Sequence, residues 1–308
     1  MEQYFWDEQY KRESIIESKN FQTLYRAKDI KENETLVTIK EYLIKKNEDS
    51  INEKIKQLYK REINLMLDLV NCENFVRVIN YKEDIYEERE ENYFYIIREY
   101  CIGNLEEFVT MNEGKLEPKI IQLIMKQLNN AFKILKNKNI IHRNIKPSNI
   151  LFCYKEDTNF IMKLSGLNYY KKGNNNCPQI NDDSDFPKPP DNDINEKYDL
   201  WSIGAIMYFM YFGDYKNIGI KNDEIKDKDL KDLIEKCIKN KNDRISWNDY
   251  FNHQFFKNTY DNCENNDFKT LNFELLKESI IEMNDYHNKI NIFVMQYYGI
   301  IRESNDKK

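Results

Sequence analysis

Residues 140–152 read Ile-Ile-His-Arg-Asn-Ile-Lys-Pro-Ser-Asn-Ile-Leu-Phe, and the segments on both sides can be assigned once this stretch is understood. Its polar centre lies between apolar residues, which is typical of a loop that leads into a strand. No residue from Pro118 to Lys155 is Asp or Glu, although 53 of the 308 residues of the chain are acidic. Asn144, in the polar centre, carries an amide that cannot act as a base at physiological pH.

The stretch resembles the catalytic loop of the eukaryotic protein kinase family, His-Arg-Asp-x-Lys-Pro-x-Asn followed by apolar residues. Lys146 with Pro147 is typical of the Ser/Thr members of that family. Asn144 stands where the family has the Asp that accepts the proton of the substrate hydroxyl. The resemblance therefore implies a catalytic-loop role for Lys146 and a metal-ligand role for Asn149, but no competent base at Asn144.

A second departure from the family follows the loop. Residues 150–154 and 160–164 are typical of a β-hairpin. The family then has Asp-Phe-Gly, whose Asp holds magnesium, whereas residues 163–168 here read Lys-Leu-Ser-Gly-Leu-Asn, with Gly166 at the Asp position. No Asp or Glu occurs from Thr158 to Asn181, so no nearby acid can replace the missing ligand. Magnesium binding is therefore not expected.

A third departure lies near the N-terminus. Residues 13–27 resemble the glycine-rich loop that covers the phosphates in kinases, but Glu17, Lys19 and Gln22 replace its glycines. Glycine matters there because the backbone approaches the phosphates closely. Glu17 also adds a negative charge. This segment is expected to form a plain β-hairpin that is a poor phosphate cradle, so that any ATP binding should be weak.

The ion pair of the family is retained in the sequence. Residues 36–41 alternate as a strand does and resemble the family's Val-Ala-Ile-Lys, which makes Lys40 the lysine that pairs with nucleotide phosphates. Thr38 replaces the alanine above the adenine and mildly disfavours a base there. Residues 51–69 have helical periodicity and resemble the αC helix, which makes Glu62 the partner of Lys40.

The remaining nucleotide contacts come from the resemblance alone. Residues 75–81 and 93–101 are typical of strands, and the second resembles the strand that enters the kinase hinge. The backbone of Glu99 and Cys101 would then meet the adenine edge, and Leu151 would form the floor of the adenine site.

Arg98, just before these hinge residues, occupies the gatekeeper position, where the family usually has an apolar residue. A buried arginine near Lys40 is costly unless it is paired. The obvious acceptor is Glu62. We therefore expect Arg98 to pair with Glu62, either displacing Lys40 or sharing the carboxylate with it, and nucleotide binding to be weak or independent of metal.

Further matches define the larger lobe. Residues 198–204, Tyr-Asp-Leu-Trp-Ser-Ile-Gly, resemble the start of the αF helix, whose Asp199 anchors the catalytic loop. Asp191 stands where the family has the Glu of Ala-Pro-Glu, and Arg244 would be its ion-pair partner. Only sixteen residues, 214–229, separate the αF region from the next predicted helix. The resemblance implies that the helix which docks protein substrates in kinases is shortened or lost here.

Composition limits the other classes of function. The formal net charge is −6 with both signs interspersed, which favours neither nucleic acid nor a membrane surface as a partner. The cysteines show no Cys-x-x-Cys spacing and no Cys/His cluster, so neither a zinc site nor a disulfide framework is expected, and the thiols should be reduced. The charged N-terminus lacks a signal-peptide profile, and the longest apolar run, residues 203–212, is too short to span a bilayer. A soluble intracellular protein, cytoplasmic or nuclear, is expected.

The tail, residues 257–308, is not explained by the resemblance. Its apolar residues follow a heptad seam that is interrupted only by one histidine: Phe273, Leu276, Ile280, Met283, His287, Ile290, Val294, Tyr297 and Ile301. The seam predicts one helix of roughly 30 residues. This helix either binds a protein partner, which includes the possibility of a homo-oligomer, or packs along its own lobe. The sequence leaves both alternatives open.

The whole pattern implies an α+β, bilobal protein kinase fold with a long C-terminal helix. The expected divisions are residues 1–102 for the N-lobe and hinge, 103–256 for the C-lobe and 257–308 for the extension. The expected function is that of an inactive Ser/Thr pseudokinase, a binding or scaffold module in signalling. The alternative is a divergent ATP-dependent Ser/Thr kinase with weak phosphotransfer activity, because positioning alone can retain part of that chemistry.

Overall fold

A computed structural model describes residues 4–5, 8–19, 21–45, 49–85, 90–112, 114–155, 159–173, 185–190 and 194–258. These residues fall into two units. The first comprises the described residues up to Val70 together with Val76–Ile102, and the second comprises Asn71–Phe75 and the described residues from Gly103 onward.

The first unit is built on an antiparallel sheet in the strand order β1-β2-β3-β4-β6-β5. Its strands are β1 (Tyr4–Phe5), β2 (Tyr10–Lys19), β3 (Gln22–Asp29), β4 (Thr35–Lys45), β5 (Val78–Asp84) and β6 (Glu91–Glu99). Alternate side chains of the central strands bury one face, as the period of a strand requires. That face is formed by Tyr25, Ala27, Val37, Ile39, Tyr95 and Ile97.

Helix α1 (Asp49–Asp68) packs on this sheet through an apolar stripe at helical spacing, which includes Ile55, Tyr59 and Ile63. The amide of Asn52 ties the start of the helix to the end of β4, because it accepts from the Lys45 N–H and donates to the Lys45 carbonyl. The helix therefore has a fixed position relative to β4.

The segment that replaces the glycine-rich loop is an ordinary hairpin, as predicted. Strands β2 and β3 pair up to Lys19 and Gln22, and irregularities in the register occur between Arg12 and Ser14 and between Ile15 and Glu17. The exposed side chains of Glu17 and Lys19 form an ion pair of 2.8 Å. The residues that align with the flexible glycine-rich loop of the family, Glu17, Lys19 and Gln22, lie in the paired strands β2 and β3 here.

The strand predicted from Phe75 begins three residues later, at Val78. The reason is that Phe75 forms a parallel bridge with Leu164 instead of joining the first sheet. The neighbouring Asn74 accepts the Leu164 N–H through its carbonyl and donates its side-chain amide to the Met162 carbonyl, at 3.0 Å. Residues 71–75 are therefore part of the second unit.

The second unit is mainly helical. Its helices are α2 (Leu105–Met111), α3 (Pro118–Asn137), α4 (Tyr198–Phe212), α5 (Lys228–Cys237) and α6 (Trp247–Phe251). Two small sheets accompany them, one in the order β10-β9-β7 and one that pairs β8 with β11. Their strands are β7 (Gly103–Asn104), β8 (Ile140–Ile141), β9 (Ile150–Lys155), β10 (Asn159–Leu164) and β11 (Lys171–Lys172).

Helix α4 is the centre of this unit, because its residues Tyr198 to Met210 are all buried. A helix that is apolar all round belongs in a core. It contacts α5 closely at Gly204, where an added Cβ would lie 2.6 Å from Cys237 Cβ. The one carboxylate of this helix, Asp199, points to the site described below.

Several predictions fall outside the described residues, among them the tail helix and the partner role of Asp191. Arg244 is buried, and its guanidinium donates to the carbonyls of Lys239 and Lys197. Between Gly213 and α5 the described residues contain a short 3-10 turn, Asn222–Glu224, and no α-helix. Among the helices that the structure describes, none combines the length and apolar character of a membrane span.

Candidate active site

Asp199 holds the loop that contains His142 and Arg143, as predicted. Its Oδ2 accepts the His142 N–H at 2.7 Å and its Oδ1 accepts the Arg143 N–H at 2.9 Å. The carboxyl group is buried, and burial raises its pKa to about 6 against the lowering effect of the two N–H donors. Arg143 has a left-handed backbone, with φ of 68°, which turns the loop at this point.

His142 is a neutral structural residue of the loop. Its Nε2 lies 2.9 Å from the Ser165 carbonyl, which can only accept, and its Nδ1 accepts the Asn144 N–H at 3.2 Å. Complete burial lowers the pKa of the imidazole to about 4, so the ring carries no charge at neutral pH. Both ring nitrogens are therefore used to hold the backbone.

The loop is also bonded to the segment that replaces Asp-Phe-Gly. The Ser165 N–H donates to the Asn149 carbonyl at 2.9 Å, and Arg143 Nη1 donates to the Tyr169 carbonyl at 2.9 Å. These bonds fix the residues around Asn144 relative to those around Gly166.

The position of the base in the resemblance holds Asn144. Asn144 is half-buried, and its side chain is an amide that can donate and accept hydrogen bonds but cannot take up a proton. Lys146 is buried in the same loop, and its carbonyl accepts the Asn149 N–H at 2.9 Å. The loop therefore keeps Lys146 and Asn149 of the family pattern but has the amide of Asn144 at the position of the base.

A side chain at position 166 would contact the Asn149 amide. The φ of Gly166 is +77°, and an added Cβ would lie 2.5 Å from Asn149 Nδ2 and 2.7 Å from Asn149 Cγ. The Asn149 amide is held there because Nδ2 donates to the Asn144 carbonyl at 2.8 Å. An aspartate at position 166 would have to displace Asn149.

These residues do not fit magnesium, which prefers an octahedral set of oxygens that includes carboxylates. Asn149 Oδ1 is the one predicted ligand atom available, and Gly166 supplies none. Among the described residues, no group of three or more His, Cys, Asp or Glu side chains is placed to hold a metal ion.

The predicted ion pair is present in the first unit. Lys40 Nζ lies 2.6 Å from Glu62 Oε2, and both residues are buried, at 5% and 1% exposure. Burial acts to raise the pKa of Glu62, but the Lys40 ammonium and the hydrogen bonds outweigh it and hold the pKa below its usual range. Burial lowers the pKa of Lys40, and Glu62 partly offsets this effect.

Sequence reasoning missed Tyr42, whose hydroxyl donates to the same Glu62 Oε2 at 2.5 Å. The available signal was its position two residues after Lys40, which places both side chains on one face of β4. Tyr42 and Lys40 together hold this oxygen of Glu62.

Arg98 is buried as predicted, at 8% exposure, between Thr38 of β4 and Val78 of β5. The expected pairing with Glu62 is wrong. Within the described residues Glu62 forms its ion pair with Lys40, and no ion pair joins it to the Arg98 guanidinium. Burial lowers the pKa of Arg98, and the charge of Glu62 acts in the opposite direction.

The predicted hinge residues lie at and beyond the end of β6. Glu99 is held against the neighbouring chain, because its N–H donates to the Arg77 carbonyl at 3.0 Å and its Oε1 accepts the Arg77 N–H at 2.6 Å. Cys101 is half-buried and disulfide-bonded, so the expectation of reduced thiols is wrong at this residue. Leu151 is a half-buried residue of β9, opposite Asn104 of β7.

The predicted site residues thus form two sets, each within one unit. The first unit contains Lys40, Glu62, Arg98, Glu99 and Cys101, and the second contains Asn144, Lys146, Asn149, Leu151 and Gly166.

Comparisons with known proteins agree with this geometry. A putative serine/threonine-protein kinase of Acanthamoeba polyphaga mimivirus is 31% identical over 212 residues, covering 54% of this chain and 47% of the relative. Calcium-dependent protein kinase 5 of Plasmodium berghei is 27% identical over 271 residues, covering 81% and 46%. Serine/threonine-protein kinase ATG1 of Debaryomyces hansenii is 26% identical over 346 residues, covering 92% and 36%.

The chain spans less than half the length of each of these curated relatives. The family model of the protein kinase domain matches residues 10–256. With the sheet of the first unit, the helices of the second and the loop that Asp199 holds, the chain belongs to the protein kinase domain family and is related to Ser/Thr kinases.

Proposed function

We propose that this chain is a Ser/Thr pseudokinase, a kinase domain without phosphotransfer activity that acts inside the cell as a binding or scaffold module in signalling. The observation that carries the proposal is the contact between Asn149 and Gly166, which fills the space of the metal-binding side chain. A second observation supports the proposal, because Asn144 replaces the Asp that acts as the base in the family.

The two losses act on different parts of the reaction. The base orients and deprotonates the attacking hydroxyl, while the metal neutralises charge on the transferred phosphoryl group. Loss of one part can leave slow transfer by positioning alone. Loss of both removes the proton acceptor and the counter-charge, each of which normally contributes orders of magnitude in rate.

The retained framework supports a binding role. Asp199 still holds the His142–Arg143 backbone, and the Lys40–Glu62 pair is still buried and hydrogen-bonded. The loop in the second unit and helix α1 in the first are therefore each held in place, although the chain has no residue at the position of the base that can take up a proton. We propose that magnesium is not bound and that ATP, where it binds, binds weakly.

One observation favours a weakly active Ser/Thr kinase as the second candidate. Lys40 and Glu62 lie 2.6 Å apart, as phosphate positioning requires, and Lys146 and Asn149 are also retained. The relatives carry kinase names. An enzyme of this kind would depend on Lys40 and on a divalent metal.

The test is incorporation of labelled phosphate from ATP by the purified full chain, on itself and on generic protein substrates. We expect no incorporation above a Lys40→Ala control, with magnesium or manganese. Asn144→Asp alone should remain inactive, and so should Asn144→Asp with Gly166→Asp, because Asn149 obstructs the new carboxylate. Metal-dependent incorporation that Lys40→Ala abolishes would establish the second candidate instead.

A further inference from the structure

The outer side of helix α3 carries a row of lysines. Lys119, Lys126 and Lys133 recur at every seventh residue, so they lie on one side of the helix. Lys119 and Lys126 are half-buried, and Lys133 is exposed. The helix has a fourth lysine, Lys136, and neither Asp nor Glu. This lysine row is therefore a positively charged surface on a chain whose formal net charge is −6.

Two lysines of the row have no carboxylate partner. Within the part of the chain that the structure describes, neither Lys119 nor Lys133 forms an ion pair. Lys133 Nζ lies 5.5 Å from the centre of the Phe251 ring, a cation–π contact that leaves its charge uncompensated. Lys136, beside the row, donates to the neutral Asn248 Oδ1 at 2.5 Å. The row therefore suits an anionic partner.

The described chain ends against this helix. Gln122 lies between Lys119 and Lys126, and its Nε2 donates to the Asn258 carbonyl at 3.1 Å. Asn258, the last described residue, is also held through its side chain, because Nδ2 donates to Asp229 Oδ2 at 2.6 Å. The tail therefore leaves the domain within one helical turn of the lysine row.

The first half of the tail has the complementary charge. Residues 261–285 contain seven acidic residues and two lysines, which gives a formal charge of −5. In the helix predicted for this part of the sequence, Glu274, Glu278 and Glu282 recur at every fourth residue and share one side. With 3.6 residues per turn, this acidic row lies on the side away from the heptad seam. The two sides of the predicted helix therefore suit two different partners.

We propose that the acidic row of the tail docks on the lysine row of α3 in the same chain. The fifteen residues 259–273 connect the two rows. An extended connection of that length reaches roughly 50 Å, which exceeds the length of about 30 Å of a 20-residue helix such as α3.

The attachment at Asn258 makes this contact effective. Surface ion pairs are individually weak, but a tethered segment has a high effective concentration at a nearby surface. The docked tail leaves its seam free to pack against another helix. Because the surface lies outside the catalytic loop, the proposal does not depend on the loss of phosphate transfer.

The first test is carbodiimide cross-linking of the full chain, which joins lysines to carboxylates in direct contact, followed by peptide mass spectrometry. Equal amounts of isotope-labelled and unlabelled chain distinguish contacts within one chain from contacts between two. We expect cross-links from the lysine row to residues 274–285, joining peptides of the same isotope. Their yield should fall at high salt, because salt screens exposed charges.

Charge reversal tests the pairing independently, with amide hydrogen exchange of residues 274–285 as the measurement. Lys119→Glu with Lys133→Glu should speed this exchange roughly threefold or more, since two surface ion pairs are lost. Glu278→Lys with Glu282→Lys should do the same. All four changes together restore opposite charges and should return exchange to the natural rate.

The matched control is Lys31→Glu with Lys216→Glu, which makes the same change in net charge at two exposed lysines outside α3. It should leave the exchange of the tail unchanged. The tail variant alters no residue of the matched kinase domain, so it remains informative where the α3 variant does not fold.

Three results would overturn the proposal. The first is the absence of cross-links between the lysine row and residues 274–285. The second is cross-links that combine labelled with unlabelled peptides, which would make a second copy the partner of the row. The third is unchanged hydrogen exchange in the charge-reversed variants. Binding to phosphatidylserine vesicles that Lys119→Glu with Lys133→Glu abolishes, without tail cross-links, would identify an anionic membrane as the partner instead.

Discussion

At the scale of single residues, Gly166 and Gly173 have a similar backbone conformation but different surroundings. Both have a left-handed backbone, with φ of +77° and +56°. A Cβ at Gly166 would collide with the Asn149 amide, whereas no atom of the described residues lies within 4 Å of a Cβ at Gly173. The two positions therefore separate the effect of backbone strain from the effect of crowding.

Gly166→Ala should reduce the free energy of unfolding by about 1–2 kcal/mol for the left-handed alanine plus about 1–3 kcal/mol for the contact with Asn149. Gly173→Ala should show the backbone effect alone. Urea unfolding of both variants measures the difference.

The same measurement in an Asn149→Ala background provides the control. Removal of the Asn149 side chain should abolish the additional effect of Gly166→Ala, because the two side chains then no longer share space. Equal destabilisation in both backgrounds would show that Asn149 does not fill the site.

At the scale of elements, the catalytic loop depends on two buried titratable groups of opposite sign. Burial lowers the pKa of His142 to about 4, so the folded chain binds fewer protons than the unfolded chain between that value and the usual pKa of histidine. The free energy of unfolding therefore falls as the pH decreases through this window. Burial raises the pKa of Asp199 to about 6, which has the opposite effect above the usual pKa of an aspartate.

We expect the two effects largely to offset each other in the natural chain at mildly acidic pH. His142→Gln keeps a donor and an acceptor but does not titrate, so only the Asp199 effect remains. Relative to the natural chain, the variant should gain about 2 kcal/mol in free energy of unfolding between pH 7 and pH 5. Denaturant unfolding at a series of pH values measures this, and parallel pH profiles would contradict the assignment.

At the scale of the whole molecule, the heptad seam of residues 273–301 is the feature that the kinase family does not explain. These residues lie outside the described part of the chain, and their role stays a prediction. We expect the full chain to self-associate through this segment, since a sustained seam favours packing against another helix.

Light scattering should give a mass above that of one chain for the full sequence and a monomeric mass for a chain ending at Lys257. Ile290→Asp places a charge on the seam and should dissociate the assembly, while Asn291→Asp places the same charge beside it and should not. Monomeric masses throughout, with reduced stability of the shorter chain, would mean that the segment packs on its own lobe.

Local patterns in the sequence were sufficient for much of the fold. The helix predicted over residues 51–69 and the hairpin predicted for residues 150–154 and 160–164 are present, because helical apolar spacing and strand alternation are local signals. The Lys40–Glu62 pair was also predicted, since the strand and the helix that carry it were recognised separately. The absence of an acid at Asn144 is a matter of residue identity alone.

Other features depend on which residues, distant in the sequence, share the same space. Strand β5 begins at Val78 because Phe75 pairs with Leu164, far along the chain. Lys40 and Tyr42, and not Arg98, bind the Glu62 carboxylate, a choice that the sequence pattern did not reveal. The sequence by itself determined the family fold and the identities of the residues at the positions of base and metal ligand, Asn144 and Gly166. Only tertiary packing decided that Asn149 fills the space beside Gly166 and that Tyr42 shares the Glu62 carboxylate with Lys40, because such contacts are set by the positions of elements and not by the pattern within any one of them.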